Sequence, residues 1–136
     1  MAGIKARERP LSPHLQIYRW PLPMMMSIAH RVSGVGLYFG TLLLAWWLIS
    51  VGSSSGSYAR MTGFIGSWFG RLILFGYTWA LIHHMLGGIR HLIWDTGYGF
   101  EQNEREWLSV ATLAGSVLLT VVLWVVGYII IIGSGR

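Results

Sequence analysis

Residues 35–49 read VGLYFGTLLLAWWLI, and they sit inside a longer run, 32–59, that carries no charged residue. About 20 apolar residues are enough for a helix to cross the hydrocarbon core of a bilayer. Two further stretches share this character. Residues 107–132 are uncharged and the least interrupted of the three. The stretch from Arg71 to Arg90 lies between arginines 19 residues apart, about 28 Å at 1.5 Å per residue, close to the hydrocarbon thickness. Both arginines can snorkel to opposite interfaces. The sequence therefore predicts an all-α membrane protein with three transmembrane helices, over about 24–51, 65–93 and 107–132.

The composition agrees. Only 11% of the 136 residues are charged while 54% are hydrophobic, against about a quarter charged in an ordinary soluble domain. One domain is expected at this length. Cysteine is absent, which excludes disulfides, thiolate zinc and an iron–sulfur cluster held by this chain alone. No glycine-rich nucleotide cradle occurs. The net charge of +5 comes from residues at the margins of the apolar runs, so lipid headgroups and not nucleic acid are the expected counterion.

Residues 1–23 are basic and broken by Pro10, Pro13, Pro21 and Pro23. They resemble neither a signal peptide nor a transit peptide and are expected to lie at the membrane surface. Residues 52–57, GSSSGS, read as a flexible connection, and 95–106, with four acids, as a solvent loop. Lys5, Arg7, Arg9, Arg19, Arg31, Arg90 and Arg105 fall on one side of the membrane, and Arg60, Arg71 and Arg136 on the other. Seven basic residues against three predict the amino terminus inside. Trp20, Trp68, Trp94 and Trp107 fall near the expected boundaries as an aromatic belt. Gly36 with Gly40, and Gly66 with Gly70, have the GxxxG spacing that lets membrane helices approach.

Ionisable groups inside membrane spans mark functional candidates. The second span carries His83, His84, Arg90 and His91. His84 and His91, seven residues apart, lie about 20° from one azimuth with Gly87 and Gly88 between them. An imidazole inside the bilayer beside a side-chain-free patch suits axial ligation of a haem, the glycines leaving room for the macrocycle. His91 then lies near the interface, at haem-propionate height. Interhelical hydrogen bonding or proton handling is the alternative. Spacing does not separate His83 from His84, because His83 falls on the face of Arg90.

The first span opens with Ser27, His30 and Arg31. Ser27 and Arg31 share a face at (i, i+4), on the same side of the membrane as His91 and Asp95. A hydroxyl and a fixed cation suit a quinone: Ser27 donates to a carbonyl oxygen, and Arg31 stabilises the anion formed after one electron or binds a propionate. Arg31 as a headgroup anchor is the plainer alternative. Asp95 reads as a partner of Arg31, as a proton donor, or as ordinary loop charge.

Three ordered stretches together carry a resemblance: RPLSPHLQIY at 9–18, SIAHRVSG at 27–34 and HMLGGIRHLIWD at 84–95. The chain resembles the cytochrome b subunits of succinate dehydrogenase, the larger of that enzyme's two membrane anchors. The resemblance implies that His84, seven residues before the histidine of the Arg90–His91 pair, ligates haem b. It implies that Ser27 and Arg31 line the ubiquinone site and that His30 and Arg31 reach the haem propionates. The neighbouring His83 departs from that pattern and leaves the ligand open to reassignment. The implied partners are a flavoprotein subunit, an iron–sulfur subunit, and a second small anchor that supplies the other axial histidine in a heteromeric helix bundle. An anchor of quinol:fumarate reductase, or a structural anchor without haem, is the competing reading. Met1 directly ahead of the motif region favours a bacterial inner membrane over a mitochondrial one.

Overall fold

The computed structural model describes residues 18–134, so most of the expected surface segment, 1–23, lies outside them. The described residues form four helices: α1 (Leu22–Gly52), α2 (Ser55–Gly66), α3 (Trp68–Asp95) and α4 (Gln102–Gly133). Helices α1, α3 and α4 are 31, 28 and 32 residues long and apolar enough to cross a membrane. At 1.5 Å per residue each exceeds the roughly 30 Å of hydrocarbon.

The differences from the sequence expectation lie at the helix ends, and each has a local cause. The GSSSGS stretch is not all connection. Ser54 accepts a hydrogen bond from the Ser57 backbone N–H at 3.2 Å and caps a separate helix, α2. The second span then starts at Trp68, because Ser67 takes an extended conformation (φ −65°, ψ 158°) and caps α3 through Gly70 N–H at 3.0 Å. Helix α4 begins five residues ahead of Trp107, inside the acidic stretch. Glu101 and Glu104 form a reciprocal capping box there, so acids that read as a solvent loop stabilise a helix N-terminus. The tight turn before it uses Gly97 and Gly99, at φ 87° and 82°, where only glycine is unstrained.

The burial pattern is inverted relative to a soluble protein. Among the described residues the buried hydrophobics are Met26 and Met61, whereas Ser33, Ser50, His83, Arg90, Ser109, Thr112, Ser116 and Thr120 are all buried. Large apolar side chains such as Leu42, Leu118 and Ile132 point outward. Lipid solvates them as well as a protein core would, so small residues and polar groups take the helix seams. Helix α3 packs against α1, α2 and α4.

The glycine spacings are used differently from the expectation. A side chain at Gly40 would strike the Tyr77 ring of α3, but one at Gly36 would meet nothing within 4 Å. Gly70 lies against the Phe64 carbonyl at the end of α2, a close approach within the break and not between two spans, and Gly66 faces open space. One glycine of each pair carries the contact.

Candidate functional site

The histidines of α1 and α3 converge at one end of the bundle. The His30 and His84 rings stack with centroids 4.0 Å apart and planes 4° from parallel, and the His91 ring is 5.3 Å from His30. Close helix approach makes this geometry. The missing side chain of Gly87 is filled by the His30 ring, and a Cβ at Gly34 would come within 2.9 Å of His84 Cε1. The glycines read as room for a macrocycle are thus divided: Gly87 receives His30, while Gly88 has nothing within 4 Å.

His84 is held in one tautomer. Its Nδ1 lies 3.1 Å from the His30 carbonyl oxygen and 3.3 Å from Ser33 Oγ. The carbonyl can only accept, and the Ser33 hydroxyl already donates to that same carbonyl at 2.8 Å. The hydrogen therefore sits on Nδ1, and Nε2 keeps its lone pair. Donation of the other ring N–H to a backbone carbonyl is how proteins orient metal-ligating histidines. Among the described residues Nε2 has no hydrogen-bond partner, and it is not sealed from its surroundings. A single haem ligand needs no cluster of protein donors, and among the described residues no group of three or more metal-ligating side chains occurs.

His83 faces the opposite seam. It is 1% exposed, stacks on Trp79 at 5.1 Å, and its Nδ1 lies 3.3 Å from Ser116 Oγ on α4. The Ser116 hydroxyl donates to the Leu113 carbonyl, so Ser116 accepts from His83 Nδ1–H. The remaining nitrogen, Nε2, is buried without a partner. Arg90 lies in the same seam, donating to Ser109 Oγ at 3.3 Å with its guanidinium 5.1 Å over the Trp94 ring.

Ser27 is half-buried in the second turn of α1, and Arg31 is exposed one turn further on. Asp95 is exposed at the last residue of α3, and His91 is exposed one turn before it. Asp95 forms no ion pair with Arg31. The structure thus brings together His30, His84 and His91, and leaves the side chains of Arg31 and Asp95 separate at the rim. Beyond the histidines, Gly36, Phe39, Gly40 and Leu43 of α1 with Ile73, Gly76, Tyr77 and Ala80 of α3 line an apolar cavity of about 320 Å³. Ala80 is one helical turn from His84.

Sequence reasoning gave no role to Ser33, although it stands three residues after His30 in a quoted stretch. It also gave none to Ser109, Thr112, Ser116 and Thr120. Their spacing of three or four along an apolar span was the available signal of a seam.

The fold and the oriented imidazole between two helices define, as a class, a three-span helical membrane protein. Residues 5–123 match the family model for the succinate dehydrogenase/fumarate reductase transmembrane subunit. The chain is 43% identical over 129 residues to a succinate dehydrogenase cytochrome b556 subunit of Paracoccus denitrificans, covering 95% of this chain and 99% of that one. It is 38% identical to the cytochrome b556 subunit of Rickettsia felis over 118 residues, covering 87% and 92%. It is likewise 38% identical to the mitochondrial cytochrome b560 subunit of Sus scrofa over 115 residues, covering 83% and 68%. The chain belongs to the succinate dehydrogenase/fumarate reductase transmembrane subunit family, and is a membrane anchor of respiratory complex II. Its bacterial relatives and three apolar helices make it a multi-pass protein of a bacterial inner membrane.

Proposed function

We propose that this chain holds one b haem through His84 and one wall of the ubiquinone site through Ser27 and Arg31, passing electrons from an iron–sulfur subunit to quinone. The observation that carries the reading is the His84 imidazole, whose Nδ1–H is committed to the His30 carbonyl and whose Nε2 lone pair is free. The relatives named as cytochrome b subunits support it. A bound b haem supplies one-electron storage between a one-electron donor and a two-electron acceptor.

This chain's residues divide the remaining work. His30 fixes the ligand through its carbonyl and its stacked ring. With Arg31 and His91 it also faces the rim, where the haem propionates are expected. Ser27 donates to a quinone carbonyl oxygen, and the Arg31 guanidinium stabilises negative charge arriving on that oxygen. Asp95, exposed at the aqueous end of α3, is placed to relay protons from the aqueous side toward the quinone oxygens. Each ubiquinone takes up two electrons and two protons in all. His30 is stacked face to face on His84, so of this chain's residues His84 alone would hold the haem iron, and a second small anchor would supply the other histidine. With the amino terminus inside, Ser27, Arg31, His91 and Asp95 face the cytoplasm. The iron–sulfur and flavoprotein subunits dock there.

A dithionite-reduced minus oxidised spectrum of the assembled complex tests this. A b-type α-band is expected in the wild type and is lost in His84→Ala. Survival of the band in His84→Ala would move the ligand to another residue, and a wild type without a band would leave a structural anchor.

A further inference from the structure

Arg31 and Arg71 stand exposed at the ends of their spans, but Arg90 is 2% exposed. Among the described residues its one side-chain hydrogen bond, to Ser109, goes to an oxygen whose own hydrogen is given to the Arg105 carbonyl. Its Nε has no partner, and no carboxylate among the described residues pairs with it. A guanidinium is always protonated, so the α3–α4 seam holds a full positive charge, met among the described residues by a hydroxyl and an indole face and by no counter-charge. An intramembrane cation is costly, and Arg90 does not reach for the headgroups as a snorkelling arginine does. Nothing in the quinone chemistry described above uses it.

A fixed charge in a low-dielectric seam acts at a distance. Arg90 lies six residues after His84 on the same helix, about 9 Å along the axis, with its side chain on the opposite seam. Reduction of a ferric haem adds one electron and no atom, so a nearby cation stabilises the reduced form over the oxidised one. We propose that Arg90 is an electrostatic tuning residue, which raises the reduction potential of the haem at His84 by its buried, unpaired charge. It touches no reacting atom. The inference rests on the haem-ligating role of His84 and adds to it the setting of the potential.

Potentiometric titration of the b haem in the purified complex tests the idea, with redox mediators supplying the electron. Arg90→Gln removes the charge. Ser109→Asp leaves the arginine in place and neutralises it with a carboxylate beside the guanidinium. Both are expected to shift the midpoint negative. The reduced-to-oxidised ratio at a fixed ambient potential would fall on the order of six- to sixteenfold, for a charge roughly 10–15 Å away at an effective dielectric constant near 20. Arg90→Lys, which keeps the charge, is expected to stay within about twofold of the wild type on the same basis. An intact α-band with an unchanged midpoint in Arg90→Gln and Ser109→Asp would overturn the tuning role and leave the haem site standing. If Arg90→Gln fails to assemble, Ser109→Asp decides alone. A wild-type complex with no b-type band would overturn both proposals.

Discussion

On its α1 side, helix α3 presents His84 to a backbone carbonyl and leaves Nε2 free; on its α4 side, one residue earlier, His83 gives its hydrogen to Ser116 and its Nε2 ends sealed. The two imidazoles share a tautomer and differ in what the other nitrogen can reach. The α1 seam is closed by glycine, with Gly34 against His84, Gly87 against His30 and Gly40 against Tyr77. The α4 seam is closed by hydroxyls, and Ser109, Thr112, Ser116 and Thr120 each donate to a carbonyl of their own helix. Glycine brings backbones close enough for an imidazole to meet a carbonyl across the seam. Hydroxyls satisfied at home can still accept from a histidine or an arginine. The first construction seals His30 Nδ1 yet leaves the His84 Nε2 lone pair open, whereas the second seals both the Arg90 charge and His83 Nε2 away.

Four substitutions probe this contrast, from the largest effect to the smallest. Arg31→Ala, at the open rim of the α1 seam, should lower quinone reduction by about tenfold or more through lost charge stabilisation. Succinate oxidation by an artificial dye should be preserved. Equal loss of both activities would point to failed assembly and remove Arg31 from the quinone site. Gly87→Ala should cost about 1–3 kcal/mol, because the added methyl must displace a stacked ring. Gly88→Ala on the same helix should gain up to about 1 kcal/mol from helix propensity. Thermal unfolding of the two variants reads the difference, and an equal loss at Gly88 would mean that a partner helix packs on it. Ser116→Ala should cost about 1–2 kcal/mol, since it strands the His83 N–H in a sealed seam, and should leave the haem spectrum unchanged. A shifted α-band in Ser116→Ala would tie the two seams together and weaken the division drawn above.

Much of this molecule was legible one residue at a time. Three uncharged runs announced three spans because a charge inside hydrocarbon is costly. SIAHRVSG and HMLGGIRHLIWD contain His30, His84 and His91, whose rings gather at one end of the bundle. The errors came where a local signal had two meanings. Glu101 and Glu104 read as loop because they are charged, yet acids also cap helices. Gly66 with Gly70 read as a helix-packing pair, yet Gly70 lies against the end of α2 across the break at Ser67.

The sequence by itself determined that the chain is an all-α, three-span membrane protein and that four of its five imidazoles, those of His30, His83, His84 and His91, fall on α1 and α3. Chain length, charge and helical period suffice for that, because the bilayer sets the length and the backbone sets the rise. Only the tertiary structure decided that His84 faces α1 and His83 faces α4. It alone decided that Gly87 makes room for His30 and that Arg90 is sealed. A helical period fixes the angle between two residues on one helix, but which neighbour lies at that angle depends on how the helices pack.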